Sequence, residues 1–169
     1  MPLATTAWFM WIENERLKKL IIDWFKRSQG ETVDEPDFFD KFMFLWVSFN
    51  AWTRAKSRKE KDREIIEFCK TEKGLSEQYQ RLLDNEEFRR NVESLKSMCP
   101  IRRNKEYRGK REVRIIDVSS FGEVLEAIYT IRCNLFHGEK SPNDERDCAL
   151  VELAFRILSR IFSVVVAKL

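Results

Sequence analysis

Two residues near the C-terminus could do chemistry together. Arg132 carries a guanidinium that keeps its charge at any ordinary pH, and five positions later stands His137, the only histidine in the chain. Arginine offers a planar fork of donors that fits the oxygens of a phosphate or carboxylate, and imidazole is the side chain that exchanges a proton near neutral pH. The pair suits proton transfer beside a phosphate whose developing charge the guanidinium stabilises. Structural roles fit the same residues. An arginine on an apolar helical stripe is equally served by an internal ion pair, for example with an Asp of the last helix. A histidine at a helix C-terminus complements the macrodipole. Spacing alone leaves both alternatives open.

The elements that must position the pair are legible from periodicity. Ser120-Phe-Gly-Glu123 matches the Ser-x-x-Glu capping box, and the helix it opens is predicted to bury Phe121, Val124, Leu125, Ile128, Ile131 and Leu135. At about 100° per residue, Arg132 falls in the middle of that apolar stripe. On an uninterrupted helix His137 points about 140° away, so a shared site requires the backbone to turn, which Gly138 permits. Ser141-Pro142-Asn-Asp144 supplies a cap, a first-turn proline and an acidic residue for the last helix, which runs through Val151, Ala154, Leu158, Ile161 and Val165.

Upstream, Leu17, Leu20, Ile21, Trp24 and Phe25 follow helical spacing up to Gly30, and Ala7-Trp-Phe-Met-Trp-Ile12 is predicted to be the buried start of that helix. Residues from Asp37 to about Arg54 are apolar in nearly every direction, as expected of a central helix buried on most sides. Short peripheral helices are predicted between Ile65 and Pro100, the first ending near Gly74. Val113 to Val118 is the only stretch with strand character. The chain of 169 residues, 43% hydrophobic with 13 Phe and 5 Trp, reads as one domain, residues 1–169. Its fold class is all-α, an antiparallel helical bundle with additional peripheral helices.

A net charge of +3 gives the whole molecule only a weak pull on polyanions, so local clusters must carry any nucleic-acid argument. From Ile101 to Arg114 the chain reads as a basic loop, in which Arg102, Arg103, Arg108, Lys110 and Arg111 are candidate RNA-phosphate contacts and Tyr107 a stacking face. Lys140, beside the motif, joins them, and Arg54 to Lys61 forms a second basic cluster. A solvated surface is the alternative for both clusters. Asn50, within the aromatic helix, needs polar partners if buried, either in the core or in support of Arg132. The four cysteines show no zinc spacing, and neither a secretory pattern nor a membrane-spanning run is read in the chain. A soluble cytoplasmic protein with reduced thiols, no metal site and no cofactor is expected.

The segment Ile131-Arg-Cys-Asn-Leu-Phe-His-Gly-Glu-Lys-Ser141, preceded by a helix and followed by Asp144 and Asp147 at the opening of another, resembles the Arg-x4-His junction of HEPN-domain proteins. The aromatic helix around Leu45-Trp46 and Phe49-Asn50-Ala51-Trp52 also resembles the central helix of that group. The likeness is tight over residues 124–160, looser over 36–54 and absent over 60–118. It implies a metal-independent endoribonuclease, a toxin or antiviral effector, acting as a homodimer with the Arg132 to His137 junctions at the interface. By that resemblance Arg132 holds the scissile phosphate, His137 moves the proton of the ribose 2′-hydroxyl or of the leaving oxygen, and Asn134 assists. Cys133 stands where the family often has Asn, Asp or His. Glu139 stands where members paired with a nucleotidyltransferase antitoxin often have Tyr, which argues against that form of regulation; an antitoxin or other regulatory partner remains an expectation of the family. Many members are non-catalytic modules that bind nucleotide, RNA or a partner protein, and that is the first alternative. A plain helical interaction protein is the second.

Overall fold

The computed structural model describes residue 12 and residues 14–31, 36–102 and 112–169. Among these, seven helices form the body of the molecule: α1 (Glu15–Ser28), α2 (Phe38–Ser57), α3 (Asp62–Thr71), α4 (Lys73–Leu82), α5 (Glu86–Ser97), α6 (Phe121–Phe136) and α7 (Glu145–Val166). Two short antiparallel strands, β1 (Ile101–Arg102) and β2 (Glu112–Val113), pair Ile101 with Val113. The all-α class is what the periodicity predicted.

The core forms where the two most apolar helices meet. Phe42, Leu45, Trp46, Phe49 and Trp52 of α2 are buried against Phe162 and its neighbours on α7. Phe162 meets Phe49 edge-on at 5.4 Å between ring centroids and Trp52 at 5.8 Å. Each buried ring contributes about 1.5–3 kcal/mol by leaving water, which outweighs the few tenths that intrinsic propensity adds per residue. Packing therefore decides where α2 sits. Helix α1 lies along α2, tied by the Ser48 hydroxyl, which donates to the Ile21 carbonyl at 2.6 Å. α4 and α5 cover α7 and bring in buried Tyr79 and Phe88.

Local chemistry moves several boundaries from those predicted. Asn14 caps α1, accepting from the Leu17 amide at 3.1 Å, so that helix starts after Ile12, which is buried ahead of it; residues 7–11 lie outside the described residues. Gly74 does not end α3 but lies in the first turn of α4. The break falls at Glu72, whose extended backbone separates the helices while its carboxylate accepts from the Leu75 amide at 2.7 Å and from Lys56 Nζ at 2.6 Å. Strand structure sits at Ile101–Arg102 and Glu112–Val113 rather than along residues 113–118, because Ile101 and Val113 are the buried pair. Ser120 caps α6 weakly, at 3.4 Å from the Glu123 amide. The Glu123 carboxylate instead receives the amides of Ile116 and Asp117, so only half of the capping box forms. The cap of α7 is Asp144, accepting from Asp147 at 2.8 Å, not Ser141.

Candidate functional site

The site is built on the seam between α3 and α6, with α2 beneath. Glu126 of α6 receives Arg63 and Lys70 of α3, each at 2.6 Å, and these bonds clamp the two helices side by side. The clamp delivers Asp62, the first residue of α3, to Arg132. Arg132 Nη1 donates to Asp62 Oδ2 at 3.1 Å, and Arg54 of α2 donates to the other oxygen, also at 3.1 Å. Two guanidinium groups thus share one carboxylate.

The Arg132 side chain is 18% exposed. Its guanidinium carbon lies 4.6 Å from the centre of the Phe136 ring and 5.3 Å from that of Trp46, within range of cation–π attraction to both. Its Nε is buried with no hydrogen-bond partner among the described residues, as is Trp46 Nε1. Tyr129, one turn before Arg132, is buried with its ring 6.2 Å from Trp46. Burial, and then the neighbouring Cys133, push the Tyr129 phenol up to about 12, so it is a neutral donor at physiological pH. On α2, Trp46, Asn50 and Arg54 repeat at four-residue spacing and share one face. Asn50 is therefore placed on the Arg132 side of α2, where it is half-buried.

α6 runs without interruption through Phe136, and His137 is its exposed C-cap, donating its amide to the Cys133 carbonyl at 3.0 Å. Gly138, at φ +74°, then makes the turn. Its amide reaches the Leu135 carbonyl at 3.1 Å, and the Glu139 amide reaches Asn134 at 2.9 Å, the Schellman pair of bonds that a left-handed glycine permits. The turn follows His137 rather than separating it from Arg132. Continuous helix spans their five-residue offset, an angle of about 140°.

The other residues singled out by sequence divide. Asn134 is buried and donates Nδ2 to the Arg102 carbonyl at 2.9 Å, holding β1 against α6 rather than reaching toward Arg132. Lys140 pairs with Asp147, whose other oxygen accepts from the Ser141 amide at 3.0 Å. The aspartate of the last helix is thus engaged with Lys140, and the partner of Arg132 comes from α3 instead. Arg102 is exposed and lies 3.4 Å from Glu112. Arg103, Arg108, Lys110 and Arg111 lie outside the described residues. In the second basic cluster Lys56 is buried against Glu72, and Arg54, which is exposed, is bound to Asp62.

Sequence reasoning missed Asp62, Tyr129, Phe136 and Arg54 as neighbours of Arg132. Asp62 carries only the signal of an acidic residue opening a helix, and its partner lies seventy positions away. Among the described residues no three His, Cys, Asp or Glu side chains gather in a metal-binding group. No described helix is long and apolar enough to cross a membrane. Comparisons with protein-family models, with curated proteins and with solved structures give no match to this chain.

Proposed function

We propose that the chain is an RNA-cleaving endoribonuclease of HEPN type, acting through Arg132 and His137 without a metal ion, as a toxin or antiviral effector. The observation that supports this best is the charge balance at Asp62: two guanidinium groups bonded to a single carboxylate, one of them half-buried. One positive charge is left over, and a phosphodiester carries the single negative charge and the paired oxygens that would complete it. His137, exposed at the C-terminal end of the same helix, would move the proton of the 2′-hydroxyl. The 2′-hydroxyl is a nucleophile the RNA itself supplies, so proton transfer and charge stabilisation suffice. Because about 140° of helix separates the two side chains, a second copy of the chain would bring its His137 to the Arg132 of the first. An antitoxin or other regulatory partner would accompany such an effector.

A second reading is favoured by the Asp62 contact itself, which already occupies one donor of Arg132 and would suit a non-catalytic module that binds nucleotide, RNA or a partner protein. An RNA cleavage assay comparing wild type with Arg132→Ala and His137→Ala separates the two. Cleavage lost in both variants supports the nuclease, and binding without turnover in wild type supports the module.

A further inference from the structure

Beside the α6–α7 turn the structure holds a cavity of about 400 Å³ lined by Pro100, Ile101, Arg102, Lys140, Arg146 and Leu150. Three of these six are cationic and none is acidic. Its apolar side is formed by Ile101 and Leu150, both nearly inaccessible to solvent. Arg146 is held in place by neutral acceptors, the carbonyls of Met98 at 2.8 Å and Pro100 at 3.2 Å, which orient its guanidinium without compensating its charge. Lys140 meets Asp147 and Arg102 meets Glu112, so three cations face two carboxylates and one positive charge is in excess.

We propose that this cavity is a phosphate-binding subsite for a nucleotide unit, with Arg146, Lys140 and Arg102 taking the phosphate. The volume falls within the range of roughly 300–1,000 Å³ typical of small-molecule pockets and suits one nucleotide rather than a long segment. Both carbonyls accept from one nitrogen of Arg146, Nη2, which fixes the guanidinium, and the donors a phosphate would take are those on Nε and Nη1. The subsite is fixed to the candidate active helix through Asn134, two residues beyond Arg132, which donates to the carbonyl of Arg102. Two sources share this chemistry, a backbone phosphate of a bound RNA strand or a free nucleotide. The strand version deepens the nuclease reading and rests on it.

The test uses the full chain and two probes, adenosine 5′-monophosphate and a fluorescent 2′-O-methyl oligonucleotide that cannot be cleaved through its 2′ position. Affinity is measured across a salt series for wild type, Arg146→Gln and Arg102→Gln; Arg102 is exposed, so its variant keeps the test open if Arg146→Gln fails to fold. Each substitution is expected to weaken binding on the order of tenfold at low salt, and to lower the salt slope for the oligonucleotide by about one. Loss with both probes identifies a site that free nucleotides fill, and loss with the oligonucleotide alone identifies a strand contact. Unchanged affinity and slope in folded variants, or no binding of either probe to wild type, overturns the subsite. Binding that depends on these arginines in a protein that does not cleave unmodified RNA would sink the nuclease reading and leave the subsite standing. Cleavage with binding indifferent to both substitutions does the reverse.

Discussion

Arg132 on α6 and Asp62 at the start of α3 meet at 3.1 Å across a helix seam, and neither is fully buried: their side chains are 18% and 34% exposed. An ion pair open to water to this degree contributes about 0–1 kcal/mol, and the stacking on Phe136 and Trp46 adds about 1 kcal/mol more.

Arg132→Ala is therefore expected to lower stability by only about 1–2 kcal/mol in urea unfolding, and Asp62→Asn by less. In the proposed chemistry Arg132→Lys should lose cleavage nearly as fully as Ala, on the order of a hundredfold, because lysine keeps the charge and loses the fork. A stability loss of about 3–5 kcal/mol for Arg132→Ala, the cost of breaking a buried pair, would assign the residue to the fold instead.

The Lys56–Glu72 pair supplies the contrast. Both side chains are 7% exposed and meet at 2.6 Å, and Glu72 also caps α4. Lys56→Ala should leave a buried carboxylate uncompensated and cost about 3–5 kcal/mol, with little effect on cleavage by the protein that remains folded. A midpoint close to wild type in the same unfolding experiment would show that water reaches the pair.

How much of this was legible in the sequence depends on distance along the chain. The turn at Gly138, most of the apolar stripe of α6 and the burial of α2 on most sides follow from residues within a few positions of one another and match the sequence reading, although Met43 of α2 is exposed. Asp62, Arg54 and Trp46 reach Arg132 only because α2 and α3 fold against α6, and no local pattern in Lys61-Asp-Arg63 reports a partner on another helix. Gly74 misled for a related reason: it reads as a stop signal, but the buried Lys56–Glu72 contact fixes the break two residues earlier. Asn134 lies on the expected helix, and its bond to the Arg102 carbonyl has no local signal because β1 is only two residues long.

Stability should fall at both ends of the pH scale. Burial pushes the Cys69 thiol up to about 12, and Tyr129 likewise, so both keep their protons longer folded than unfolded. Their contribution is complete below the ordinary thiol range and is lost as pH rises toward about 12. Burial alone would raise the Glu126 carboxyl, but its bonds to Arg63 and Lys70 outweigh that and hold it below the ordinary carboxylate value. Its contribution is present above that ordinary value and is lost as pH falls through the lowered one. Thermal unfolding midpoints should show a plateau across neutral pH and decline on each side. A midpoint still rising well into the alkaline range would contradict the assignment of Cys69 and Tyr129.

Phe136 is 45% exposed and stands between Arg132, on which it stacks, and His137. If two copies meet at this junction, as the HEPN resemblance implies, Phe136→Asp should shift the protein from dimer to monomer in light scattering and reduce cleavage in step. A monomeric wild type with full cleavage activity would contradict the two-chain site.

The central claim is tested most directly by incubating the protein with RNA in excess chelator and identifying the product ends. We expect cleavage to persist, to leave a 2′,3′-cyclic phosphate, and to disappear in both Arg132→Ala and His137→Ala, since attack by the 2′-hydroxyl needs only proton transfer and charge stabilisation. Cleavage abolished by chelator and restored by a divalent metal, or products ending in 5′-phosphate and a free 3′-hydroxyl, would contradict it.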